Sequence, residues 1–128
     1  MSLESWKKEF YPVNASEIKS KIEAIKHSIL KWRGLQKSNL EKHKLYINDY
    51  IIIDNNSNSL FIDDTSCALC NLYLKKSNCE NCPLYIYLGH RCDYTTNSPY
   101  YRFYMHGNPK PMIKALKETL KKAEKDEL

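Results

Sequence analysis

The chain predicts a small single α+β domain, with N- and C-terminal helices around a short β-hairpin and a cysteine-rich zinc-binding region. Three observations carry that expectation. Apolar residues recur at helical spacing in segments near both ends, about 15–33 and 109–125. β-Branched and aromatic residues gather in 46–53 and 60–62 around a turn-forming cluster. All five cysteines fall in one stretch, CALCNLYLKKSNCENCPLYIYLGHRC, from Cys67 to Cys92.

Along the chain, residues 1–13 read as an arm whose Trp6, Phe10, Tyr11 and Val13 pack onto the domain. The helical part is 14–45. Asn14 and Glu17 resemble a capping box for a helix over 15–33. Its stripe is Ile18, Ile22, Ile25, Ile29 and Trp32, and Gly34 stops it. The opposite face carries Lys19, Lys26 and Arg33, with Glu23 and His27 one turn apart; Glu23, His27 and Lys31 line up at helical spacing and either touch an anion or form a solvated face of i,i+4 pairs. A short second helix starts at Ser38 and ends near Lys44. Residues 46–66 form the hairpin, YINDYIII and LFI joined by the turn cluster DNNSNS. Thr65 or Ser66 caps a helix carrying Cys67 and Cys70 in its first turn. A loop over 75–78 leads to the second cysteine pair, Pro83 ends that knuckle, and LYIYL at 84–88 fits a strand or a helical turn equally. The last segment, 93–128, holds two helices. Ser98-Pro99 opens one and Gly107 closes it; Asn108-Pro109 opens the other, with Met112, Ile113, Leu116, Leu120 and Ala123 inward.

A length of 128 residues suits one domain. A mean hydropathy of -0.63 implies a small apolar core, for which a metal staple is a common remedy. No N-terminal run resembles a signal peptide, and no stretch nears the ~20 apolar residues that span a bilayer. The terminal Lys-Asp-Glu-Leu matches a secretory retrieval signal, yet nothing directs the chain into that pathway. A reducing cytoplasm is the expected compartment, where clustered cysteines hold metal more often than they pair. The net charge of +5 is uneven, with basic ends and a mildly acidic middle. It permits an anionic partner, and with no spanning stretch a membrane partner is not expected.

Cys67/Cys70 and Cys79/Cys82 form two Cys-x2-Cys pairs, and Cys92 follows His90 by two residues. Two thiolates so spaced can face one ion, and two such pairs complete the tetrahedral shell of structural zinc. Cys92 or His90 can replace one of the four. Four thiolates leave no open position for water, so such a Zn2+ folds the chain and does not catalyse. An iron–sulfur cluster is the alternative cofactor for the same cysteines.

No phosphate-cradling glycine loop, nucleophile elbow or zinc-protease motif occurs, and none of His27, His43, His90 and His106 has an orienting partner visible in the sequence. The expectation is a non-enzymatic protein. Its candidate ligand-binding residues are Lys31, Arg33, Lys42, His43 and Lys44 in the basic N-terminal part and Tyr100, Tyr101 and Arg102 in the aromatic segment. Basic groups neutralise phosphates and aromatic faces stack bases, so the partner they suit is a nucleotide or nucleic acid. The same tyrosines could instead anchor a protein partner, in which case the chain is an inhibitor of an enzyme.

The ordered motifs EFYPV (9–13), HSILKWRGL (27–35), CALC (67–70), CENCPL (79–84), Cys92, SPY (98–100) and NPKPMIKAL (108–116) resemble small proteins encoded by bacteriophages and prophages. The resemblance covers nearly the whole chain and carries over no catalytic residue. It implies a viral accessory protein that acts in a bacterial host cytoplasm against host defences; the phosphate-rich ligand read from the basic and aromatic residues is then a nucleic acid or a signalling nucleotide.

Overall fold

The computed structural model describes residues 2–74, 79–95 and 97–125. The loop over 75–78 and the last three residues of the retrieval-like tetrapeptide lie outside them. The architecture is a small α+β domain, as the sequence predicts. Helix α2 (Lys21–Gly34) runs through the centre. It packs against α1 (Leu3–Phe10) on one side and α6 (Lys110–Glu124) on another, and α6 also contacts α4 (Pro83–Leu88) and α5 (Pro99–His106). A short α3 (Lys37–Lys42) leads into the sheet.

The N-terminal segment is a helix, not merely an arm. Ser2 accepts the Ser5 amide, Ser5 returns the contact to the Ser2 amide, and this capping box starts α1. Leu3, Trp6 and Phe10, at steps of three and four, are buried. The Trp6 Nε1–H donates to the Gly34 carbonyl at 2.8 Å. Phe10 lies across Gly34, where a Cβ would stand 2.5 Å from the Phe10 Cγ. The glycine therefore serves a close helix–helix approach; α2 ends there without a left-handed residue.

The helix expected over 15–33 is divided. Asn14 Oδ1 accepts the Ser16 amide and holds a single 3-10 turn, Ala15–Glu17. Ile18 is extended, and Ser20 caps the true helix by accepting the Glu23 amide at 3.2 Å. Two competing caps within seven residues explain the break. Because α2 has neighbours on several sides, its expected solvated face is also covered: His27, Ser28 and Lys31 are buried beside Ile25, Ile29 and Trp32. Helix α3 begins one residue before the expected Ser38, without a side-chain cap.

The expected hairpin is a three-stranded antiparallel meander, ordered β1 (Tyr46–Asn48), β2 (Ile51–Ile53) and β3 (Ser59–Phe61). Asp49, in the left-handed region at φ 57°, turns the chain inside what reads as one strand. Tyr46 then pairs with Ile53, and Ile51 with Phe61. Ile52 points to the core and is fully buried. The cluster after Ile53 turns around Asp54, whose carboxylate accepts the Asn56 and Asn58 amides and, across the molecule, the Leu3 amide at 3.0 Å.

Helices α5 and α6 follow their sequence signals. Pro99 opens α5 and Gly107 closes it at φ 66°. Asn108 Oδ1 accepts the Lys110 amide at the start of α6, and Met112, Ile113, Leu116 and Ala123 face the core. The ambiguous LYIYL is helical: Pro83 sits in the first turn of α4, and Gly89 ends it at φ 81°. No described helix is long and apolar enough to cross a membrane.

Candidate metal centre

The cysteine region begins at Asp63, whose Oδ1 accepts the Thr65 amide and hydroxyl and caps a 3-10 turn over Asp64–Ser66. Thr65 and Ser66 lie inside this turn and do not cap a cysteine-bearing helix as expected; Cys67 follows in extended conformation and helical backbone resumes after it. The chain then coils back. The Asn71 amide donates to the Cys67 carbonyl, and the Cys70 amide donates to the Cys67 Sγ at 3.4 Å. Residues Cys70–Leu74 form a π-type turn. In the second knuckle Cys79–Asn81 makes a 3-10 turn, the Cys82 amide donates to the Cys79 carbonyl, and Cys82 opens α4. Cys92 is tied to α5 through its carbonyl, which accepts the Tyr100 amide at 3.0 Å.

All five cysteines line one cavity of about 350 Å³ between α2, α6 and the two knuckles. Sequence separations of up to 25 residues close there because Leu69 and Leu84, both buried, pin each knuckle to the apolar core. None of the five is in a disulfide. Among the described residues, no three Cys, His, Asp or Glu side chains stand close enough together to share an ion as placed. The thiols thus share one cavity, not one point. Rotating a cysteine about χ1 carries its sulfur about 3 Å.

The thiols act on one another electrostatically. The Cys70 S–H donates to Cys67, whose pKa falls; Lys31 and the Cys70 and Leu69 amides add to that pull. Cys70 holds the proton and moves the opposite way. Burial pushes Cys82 up to about 11, while the Tyr85 and Leu84 amides at the start of α4 pull it back. Burial also raises Cys92 well above the usual thiol range, and the charges of Cys67, Asp93, Cys82 and Cys79 add to it. Several buried thiolates cannot share this space without a cation among them. A soft divalent ion would supply that cation, and backbone amides already face the sulfurs of both knuckles. The donor set fits zinc, with Cys67, Cys70, Cys79 and Cys82 as ligands and Cys92 as a fifth thiol on the same wall. His90 does not line the cavity: its ring lies 5.6 Å from that of Tyr94, tilted by 31°, and its Nδ1–H donates to the Arg91 carbonyl at 2.7 Å.

The candidate ligand-binding residues do not form one patch. Lys31 is only 1% exposed and lines the cysteine cavity, where its Nζ donates to the Ser66 carbonyl at 3.3 Å. Tyr100 lines the same cavity, and its hydroxyl donates to the Ile62 carbonyl at 2.7 Å. Lys42 and His43 lie instead against α1, where both contact the Glu9 carboxylate, at 3.1 and 2.8 Å. The Ser5 hydroxyl meets the other ring nitrogen of His43 at 2.8 Å. His43 therefore has the orienting acid that the sequence does not reveal. Ser5 also donates to the Ser2 carbonyl, and none of Ser5, Glu9, Lys42 and His43 lines the thiol cavity; the row acts as a brace between α1 and α3. Arg33 and Lys44 are exposed.

Tyr101 and the exposed Tyr104 belong to a row of rings that the sequence does not announce. Phe61 stacks near Tyr50 (5.7 Å, 28°), Tyr50 near Tyr104 (6.5 Å, 19°), and Tyr101 meets Tyr104 edge-on at 6.0 Å. Arg102 is exposed on the same helix. Tyr50 and Phe61 come from a turn and a strand far from α5 in sequence, and no spacing rule would have joined them.

Comparison with known protein families, curated proteins and solved structures finds no match to this chain.

Proposed function

We propose that this protein is a non-enzymatic, zinc-stapled module in which Zn2+ bound by thiolates of Cys67, Cys70, Cys79 and Cys82 holds the cysteine region against the helical core. The observation that carries this reading is the meeting of all five thiols, from both knuckles and the segment after α4, on one cavity wall. Four thiolates saturate the ion, so its contribution is to folding, on the order of 10 kcal/mol for sites of this type. Native mass spectrometry of protein purified under reducing conditions tests it. The expected mass is that of the chain plus one zinc ion less the displaced thiol protons, with chelation returning the bare chain. A brown preparation containing iron and sulfide would replace zinc by a cluster. A metal-free chain that takes up no added Zn2+ would overturn the reading.

A second reading concerns the partner. The row Phe61–Tyr50–Tyr104–Tyr101, with Arg102 on the same helix, favours a ligand that combines rings with phosphates, a nucleotide or single-stranded nucleic acid. Together with the resemblance to phage-encoded proteins, it supports a viral accessory protein that captures such a ligand in the bacterial host. Fluorescence titration with a labelled oligonucleotide at increasing salt separates this from a protein inhibitor: phosphate binding weakens steeply with ionic strength. Absence of binding even at low salt would leave the tyrosines as anchors for a host protein.

A further inference from the structure

Helix α2 brings two polar side chains to the thiol cavity that the apolar stripe of the sequence does not explain. Lys31 is 1% exposed, and both of its hydrogen bonds, at 3.3 and 3.5 Å, go to the neutral Ser66. Its Nζ also lies 5.3 Å from the Trp32 ring centroid. None of the ion pairs among the described residues includes it: Asp63 and Asp64 line the same cavity without pairing to it, and Asp93 is bound to Arg91. One turn earlier, the Ser28 hydroxyl is buried and without a hydrogen-bond partner. Both residues line the cavity with the five thiols.

A buried ammonium without a carboxylate is among the costliest things a small core can hold. It persists where an anion faces it. Zinc on four thiolates is such an anion, with two negative charges in excess of the metal's two positive ones. We infer that Lys31 is the built-in counter-cation of the thiolate centre, with the Ser28 hydroxyl as a second donor toward its sulfurs. This inference rests on the zinc reading above and adds to it a chemical preference. The cavity is matched to a doubly anionic centre, so removing the lysine charge weakens the metal without removing any ligand. Outer hydrogen bonds of this kind change metal affinity by about 10- to 100-fold.

The full chain loaded with Co2+ or Zn2+ tests it in the wild type and in Lys31→Met, Lys31→Gln, Lys31→Arg and Ser28→Ala. Co2+ on four thiolates gives intense tetrahedral visible bands and sulfur-to-metal charge-transfer bands; competition with a chromophoric chelator gives Zn2+ affinity. In Lys31→Met the tetrahedral bands persist, Zn2+ affinity falls at least about tenfold, and the charge-transfer bands move to longer wavelength, because sulfurs without a facing cation give up electrons more readily. Lys31→Arg restores both. Ser28→Ala produces a smaller loss in the same direction. Lys31→Gln keeps a donor for Ser66 without the charge, and it carries the comparison if the methionine variant does not fold. A wild type without tetrahedral Co2+ bands would overturn the metal centre itself. Normal wild-type bands with unchanged affinity and band position in Lys31→Met or Lys31→Gln would overturn only the role of Lys31.

Discussion

Gly34 lacks a side chain because Phe10 occupies the space one would fill. In Gly34→Ala the new methyl must displace a buried ring between α1 and α2, an overpacking that costs roughly 1–3 kcal/mol. Urea unfolding checks this, and an unchanged midpoint would show that the helices separate freely. The sequence presents Gly34 as a helix stop because its real neighbour lies 24 positions away. Lys31 and His27 are obscured in the same way, since a periodic stripe marks the first buried face of a helix but not a second or third. Asp54 is another long-range device. The Leu3 amide foremost, then the Asn58 side chain and the Asn58 and Asn56 amides, hold its carboxyl below the ordinary value of 3.8. The unfolded chain therefore binds the proton more readily, so this stability is present above that value and lost as pH falls through the folded one. Asp54→Asn should melt several degrees lower at neutral pH and lose less on acidification than the wild type. Parallel Tm-versus-pH curves would contradict it.

Among the elements, those punctuated by proline and glycine were the legible ones. Pro99 with Gly107, and Asn108-Pro109 before a long apolar stripe, gave α5 and α6 nearly to the residue. Elements set by side-chain capture were not: Ser20 competes with Asn14 for the start of α2, and Asp49 folds one apparent strand into two. Both cysteine knuckles were visible as spacing, but their geometry depends on amides facing sulfur, as between Cys70 and Cys67. That dependence gives an element-scale prediction. Cys70→Ser keeps the turn but removes a thiolate, and it should lower the Tm of the metal-loaded protein by about 10 °C or more. With chelator present, variant and wild type should melt together. Equal melting of the loaded proteins would contradict a ligand role for Cys70.

At the scale of the molecule, two kinds of cohesion divide the work. Helices α1, α2 and α6 enclose an apolar core around Trp6, Ile25 and Leu116, all nearly inaccessible to solvent, and each such side chain is worth ~1.5–3 kcal/mol. Among its described residues, the segment from Cys67 to Cys92 contributes few buried apolar side chains, chiefly Ala68, Leu69, Pro83 and Leu84. Polar ties attach its surroundings, among them Tyr100 to Ile62 and Lys31 to Ser66. A polar composition suggested a weak core throughout, whereas the deficit is local to the cysteine region, where an ion would do most. The most direct measurement is thermal unfolding of the reduced protein before and after removal of zinc by a chelator. The account predicts a large fall in Tm that added Zn2+ reverses at one ion per chain. An identical melting curve with and without the chelator would contradict it.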